Sequence, residues 1–299
     1  MKHSQKSALM IAGMILFWSI FYAVSKYMVA EAGSPYLAGG LLRAAALLFL
    51  TVQLLVMRQF TDLFRQGRSV WILLLIGVFG FCADLFANLG YAHGSLGTGT
   101  ALLKTDVLMA NLVTVLLYHK RLTWLDWLGT AVMLLGVLLV LNVSFSDMRF
   151  AWTDLFFLLS AASLAANAFI IQHAQRRYGK TPEMISYYNN LVVLVLFTAA
   201  SAISGDLARV GSVTLSHPWM ILLGGLAQTG IYFFYYRNLR EHEVWKVKLY
   251  LLLMPIVSAV FGVLFFREAM TAKTVIGIAV VLLGAGLLLL KGRAAKKNA

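Results

Sequence analysis

The sequence predicts an all-α membrane protein of ten transmembrane helices in two inverted five-helix repeats. Three observations carry that expectation. The 299 residues are 61% apolar and only 12% charged. A soluble domain carries about 25% charged residues, so there are too few charges here to coat a water-soluble globule. The apolar residues come in blocks of roughly twenty, long enough at about 1.5 Å rise per residue to cross a hydrocarbon core of about 30 Å. One block also recurs: Trp127–Gly136 (WLGTAVMLLG) aligns with Val275–Gly284 (VIGIAVVLLG), each after a similar turn (120–123 and 268–271), at a constant offset of 148 residues.

In order, the predicted spans are 7–29, 36–57, 70–92, 97–118, 124–142, 152–173, 184–203, 217–237, 245–266 and 272–290. The connections are short and hold the turn formers: Gly33-Ser34-Pro35, Gly94-Ser95, Gly179-Lys180-Thr181-Pro182 and Ser216-His217-Pro218. None is long enough for a soluble domain. The first span follows Lys2 and Lys6, but Ser7 to Val29 exceeds a signal-peptide core and lacks a cleavage pattern, so it reads as a retained helix. With the N-terminus inside, the inner segments hold sixteen Lys and Arg and the outer loops four. That split follows the positive-inside rule and fits ten crossings with both termini cytoplasmic. It also gives the net charge of +13 a source other than nucleic-acid binding. The single cysteine, Cys82, excludes a disulfide framework and a thiolate zinc site; no metal or cofactor is expected.

Because five is odd, two homologous halves, 7–142 and 150–291, must have opposite topologies. Inverted repeats of this kind point to a transporter whose substrate site lies near the repeat interface. Gly129, Gly136, Gly277 and Gly284 read as helix-packing residues.

The residues from Pro255 through Glu268 to Thr271, with the Gly277/Gly284 helix after them, resemble the ninth helix, short turn and tenth helix of the EamA family of the drug/metabolite transporter superfamily. Phe17-Trp18-Ser19 with Lys26, and Arg43, resemble the pattern of the family's first unit. The likeness covers nearly the whole chain as two tandem units. It departs at Val107, where the first unit often has proline, and at Lys120, where it often has glutamate. The resemblance implies a secondary transporter of a bacterial inner membrane, often an exporter, moving small metabolites by alternating access.

Charged side chains inside a bilayer face a bundle interior or a wet cavity. The candidates are Lys26, Arg43, Asp84, Lys104 and Asp106, all roughly 5–13 Å below the outer boundary by helix rise. Four helices thus place charge at one level. Lys104 is expected to reach Asp84, leaving Asp106 for Arg43 or Lys26. Fixed ion pairs between helices are the alternative to a site. Asp84 and Asn88 share a helix face. Asp84 or Asp106 would carry a coupling proton. Trp18 and Tyr22 share a face with Lys26, and Asn167, Gln228, Tyr232 and Tyr250 add polar groups suited to an organic solute; Tyr187, Asn190 and Tyr235 are further polar positions. Lys246 and Lys248 are expected to snorkel to the inner surface, the alternative being that they line an inward vestibule. His93 reads as a loop residue, and Pro255 as a weak point in the ninth helix.

These features favour transport of a small zwitterionic or anionic metabolite such as an amino acid, with the bilayer, the solute and a proton as partners and a monomer or homodimer as the unit. A channel or a non-transporting scaffold is the alternative. An enzyme is disfavoured: the one local His-Glu pair, His242-Glu243, lacks the second histidine of a zinc protease motif, and there is no nucleophile elbow.

Overall fold

The computed structural model describes residues 3–65, 67–93, 102–119, 121–140, 152, 154–254, 256–257, 260 and 271–297. The turn 94–100, Lys120, Pro255 and Glu268 lie outside them, as does the side chain of His93. The long elements are α1 (His3–Ala32), α2 (Pro35–Val56), α3 (Val70–His93), α4 (Asp106–Leu116), α5 (Trp124–Val140), α6 (Asp154–Arg177), α7 (Pro182–Ile203), α8 (Pro218–Glu241), α9 (Val244–Tyr250) and α10 (Ala272–Lys297). No strand occurs among the described residues.

Five helices, α1, α2, α3, α6 and α7, are each long and apolar enough to cross a membrane. The eighth is as long but more polar, because Gln228, Tyr232, Tyr235, Tyr236 and Asn238 lie along it, all buried within the bundle. Two predicted spans are interrupted. The fourth turns at Lys104–Thr105 before α4 begins, and the ninth tightens into a 3-10 turn, Leu251–Leu253, directly after α9. A short helix outside the predicted spans, Val210–Ser216, lies between α7 and α8. It follows Gly205 at φ 77°, and with Asp206–Arg209 it makes an angle of 97° with α8 at the Pro218 break.

The two halves repeat in their helix boundaries as well as in sequence. Val70–His93 and Pro218–Glu241 are offset by 148 residues at both ends, Pro35–Val56 and Pro182–Ile203 by 147. The capping chemistry repeats too. Ser34 caps α2 by accepting from the Leu37 N–H at 3.3 Å, and Thr181 caps α7 by accepting from the Met184 N–H at 3.3 Å. Each is followed by proline at the first helical position and preceded by a turn glycine, Gly33 at φ 59° and Gly179 at φ 62°. Proline there loses no needed donor, and the hydroxyl satisfies an orphan N–H.

Packing obeys the same symmetry. The first helix docks on α8, and its counterpart α6 docks on α3. Helices α2 and α7 pack on each other, as do α5 and α10 and, where they cross, α4 and α9. Exchanging the halves maps this set of contacts onto itself, so the repeats interdigitate. At one end, Ser34 Oγ donates to Asp206 Oδ2 at 2.5 Å and Arg209 Nη2 to the Ala32 carbonyl at 2.5 Å. Hydrogen bonds from Ser204 and Ser34 hold the Asp206 carboxyl below its ordinary range. At the opposite end, Tyr188 donates to the Leu63 carbonyl at 2.7 Å and Ser7 Oγ lies 3.5 Å from His242 Nε2.

Helices α5 and α10 approach through glycine. A methyl group on Gly277 would stand 2.5 Å from Val140 N and 2.8 Å from the Gly136 carbonyl oxygen, and backbone cannot step aside. Gly277→Ala is therefore expected to cost about 1–3 kcal/mol, lowering Tm in detergent, whereas Gly286→Ala, which meets open space, leaves Tm unchanged. Equal Tm values for the two variants would remove this contact from the packing account.

Candidate functional site

A cavity lies between the repeats. Its walls are Trp18, Phe21 and Tyr22 of α1, Arg43 of α2, Asp84 of α3, Asn167 of α6, Asn189 of α7, and Gln228, Tyr232, Tyr235 and Tyr236 of α8, with small residues Gly80, Ala83 and Ser160 behind them. Both halves thus contribute their first three helices. Its volume of about 60 Å³ is well below the roughly 300–1,000 Å³ of drug-sized pockets, so this conformation suits a small metabolite. A smaller pocket, lined by Ser25, Gly39, Asn88 and Tyr91, shares Phe21, Tyr22, Arg43 and Asp84 with the cavity. Its lining residues carry it toward the α1–α2 connection.

Arg43 stands where the two spaces meet. Its Nε donates to Asp84 Oδ2 at 3.0 Å, and Nη2 reaches the same oxygen. Its Nη1 donates to the Tyr232 hydroxyl and, at 3.5 Å, to Asn190 Oδ1. The amide of Asn190 in turn donates to the Arg43 carbonyl at 2.8 Å. The guanidinium also lies 5.8 Å from the Phe21 ring centroid and 5.7 Å from that of Tyr232. One side chain on α2 therefore ties together α3, α7 and α8. Asp84 keeps 23% of its side chain exposed and Arg43 5%, so the carboxylate is the wetter partner.

The pairings differ from those expected from sequence. Asp84 belongs to Arg43, not to Lys104. Asp106 belongs to Lys248 at 2.7 Å, not to Arg43 or Lys26. The reason is the crossing of α4 with α9, which a hairpin-by-hairpin reading does not foresee. Lys248 does not snorkel: it is 0% exposed, with its ammonium 5.7 Å from the Tyr235 ring centroid. Lys246, two residues earlier, is exposed beside Glu243 at 3.2 Å.

Of the other residues singled out by sequence, Trp18, Tyr22, Asn167, Gln228 and Tyr232 line the cavity. Asn88 lines the smaller pocket, accepting from Ser25 at 3.4 Å and donating to the Pro35 carbonyl at 3.2 Å. Lys104 is buried near the Tyr22 ring. Lys26 is exposed on α1 and lines neither pocket. Tyr250 is half-buried beside His242, away from the cavity walls. Phe21, Asn189 and Tyr236 were missed. Tyr236 lies one turn beyond Tyr232 on the same helix face, and that spacing was the available signal. Asn189 donates to the Tyr236 hydroxyl at 2.5 Å. Among the described residues, the Asn167 side-chain oxygen is buried without a partner. Among the described residues no cluster of His, Cys, Asp and Glu is arranged to hold a metal.

The model of the EamA-like transporter family matches residues 5–142 and 151–290. A protein of Archaeoglobus fulgidus named "Uncharacterized transporter" is 23% identical over 293 residues, which is 93% of this chain and 97% of that one. A solved structure described only as "Crystal structure of protein" matches with TM-score 0.75 and 19% identity, over 97% of this chain and 99% of its own; at that identity the likeness is one of fold. Two tandem family units, interdigitated around a cavity in a bundle of apolar helices, make this chain a member of the EamA-like transporter family and a membrane transporter.

Proposed function

We propose that the chain is a secondary active transporter that moves a small zwitterionic or anionic metabolite by alternating access, with both termini in the cytoplasm. The observation that carries this reading is the cavity between inverted repeats, where a guanidinium, a partly exposed carboxylate and an amide oxygen without a partner among the described residues meet aromatic rings. A solute carboxylate would compete with Asp84 for Arg43, a bidentate acceptor for a fork of donors. An ammonium or hydroxyl would donate to the Asn167 oxygen. The aromatic walls suit the apolar part of such a solute. Asp84 is the better candidate for a coupling proton, since its side chain keeps 23% exposure against 8% for Asp106. The Lys and Arg bias of the loops supports the orientation, and the naming of the archaeal relative as a transporter agrees with the class.

Reconstituted vesicles test this. Loaded with unlabelled L-amino acids and short-chain carboxylates, they are expected to accumulate the labelled solute by counterflow that saturates and is competed by excess solute. Asp84→Asn is expected to keep counterflow but lose uptake driven by a pH gradient. Flux that rises linearly with concentration, without competition, would favour a channel. Intact pH coupling in Asp84→Asn would remove that carboxylate from the coupling role.

A further inference from the structure

One buried ammonium in this site has no carboxylate of its own among the described residues: Lys104 shares the field of Asp106 with Lys248. Beside the aromatic wall of the cavity, Lys104, Asp106 and Lys248 come together where α4 crosses α9. Lys248 and Asp106 satisfy each other, and Asp84 is taken by Arg43. Lys104 is 4% exposed. Its Nζ meets only Met254 Sδ, at 3.4 Å, and the Tyr22 ring, 5.4 Å to the centroid, among the described residues. A thioether and a ring face are weak partners for an ammonium. Among the described residues, Arg43, Lys104 and Lys248 against Asp84 and Asp106 leave this interior with one positive charge in excess, a costly state in a membrane.

The backbone around Lys104 points the same way. Helix α4 starts two residues on with Asp106 in its first turn, a place that favours negative charge, and that carboxylate is engaged by Lys248. The interruption at Lys104–Thr105 recurs in the second repeat as the 3-10 turn Leu251–Leu253, at the position the 148-residue offset dictates. Helices broken at corresponding places in two inverted repeats are where transporters of this build handle charged groups.

We infer that Lys104 is the counter-ion for a solute with one net negative charge, the carboxylate of a small organic anion arriving past Tyr22, which also lines the cavity. This rests on the transporter reading above and narrows its solute from zwitterionic or anionic to anionic. A neutral zwitterion satisfies Arg43 and Asn167 but leaves the excess charge in place. An anion removes it.

The test is thermal unfolding of the detergent-purified full chain with three probes of similar size and different charge, acetate, glycine and ethylammonium, at matched ionic strength. Acetate is expected to raise Tm saturably, by about 3–6 °C at ten times its Kd, glycine less, and ethylammonium not at all. In Lys104→Met the acetate shift disappears, while Tm without acetate equals or exceeds that of the wild type. Lys104→Gln asks the same question should the methionine variant not fold. No saturable acetate shift, an equal shift from glycine or ethylammonium, or an acetate shift that survives loss of the amine would each overturn the assignment. Saturable counterflow in vesicles alongside a flat acetate titration rejects the Lys104 site and leaves transport standing.

Discussion

Arg43→Met is expected to destabilise the protein by about 3–5 kcal/mol and to end counterflow, while Arg43→Met combined with Asp84→Leu recovers most of the stability and none of the flux. The guanidinium is 5% exposed and holds a carboxylate, a tyrosine hydroxyl and an asparagine oxygen from three other helices. Removing it leaves the largely buried Asp84 carboxylate without its cation and the Tyr232 and Asn190 acceptors without this donor. Removing the carboxylate as well takes away the stranded charge, which is the larger part of the penalty. The flux stays lost because the fork of donors for the solute carboxylate is gone. The two readouts separate a structural latch from a binding group: Tm follows the pair, and counterflow follows the arginine alone. A double variant that transports at the wild-type rate would assign Arg43 to packing.

Asp106→Leu is expected to cost about 3–5 kcal/mol as well, for a different reason. The Lys248 ammonium is 0% exposed and has Asp106 as its carboxylate at 2.7 Å. The leucine leaves that ammonium beside the Tyr235 side chain, a neutral partner, with Lys104 nearby to repel it. Lys248→Met in the Asp106→Leu background is expected to return Tm to within a few degrees of wild type, because an apolar pair of similar volume replaces the ion pair. Thermal unfolding in detergent reads both variants. A double variant no more stable than Asp106→Leu alone would mean that leucine harms packing at the α4–α9 crossing and that the stranded charge is not the cause.

The architecture was readable from the sequence because membrane spans are long and because the repeat carried its own check. The Gly129/Gly136 and Gly277/Gly284 stretches had to be counterparts, and the structure packs them face to face, with Gly277 against the Gly136 carbonyl. The site was readable only in part. Arg43 and Asp84 stood out as charges in apolar blocks, and Gln228 and Tyr232 as polar residues on one face. Their partners were not readable, since Arg43 meets Asn190 and Tyr232 across 147 and 189 residues of chain. Lys248 was misread because a lysine four residues into a span looks the same whether its stem reaches water or a buried aspartate. Lys26 was misplaced for the converse reason: depth along a helix is legible from the rise per residue, but which face meets the bundle is not when apolar residues surround the helix on every side.

Interdigitation sets the order in which this protein can become itself. When the first five segments have left the ribosome, α1 lacks α8, α3 lacks α6 and α5 lacks α10, so nearly every extensive interhelical surface is still waiting for chain not yet made. The surroundings of Arg43 and Asp84 are complete only once the eighth helix has brought Tyr232 to the guanidinium. The pocket is therefore completed late in chain synthesis and the α5–α10 surface later still, and a chain cut before α8 would leave Arg43 and Asp84 without their lid of aromatic side chains.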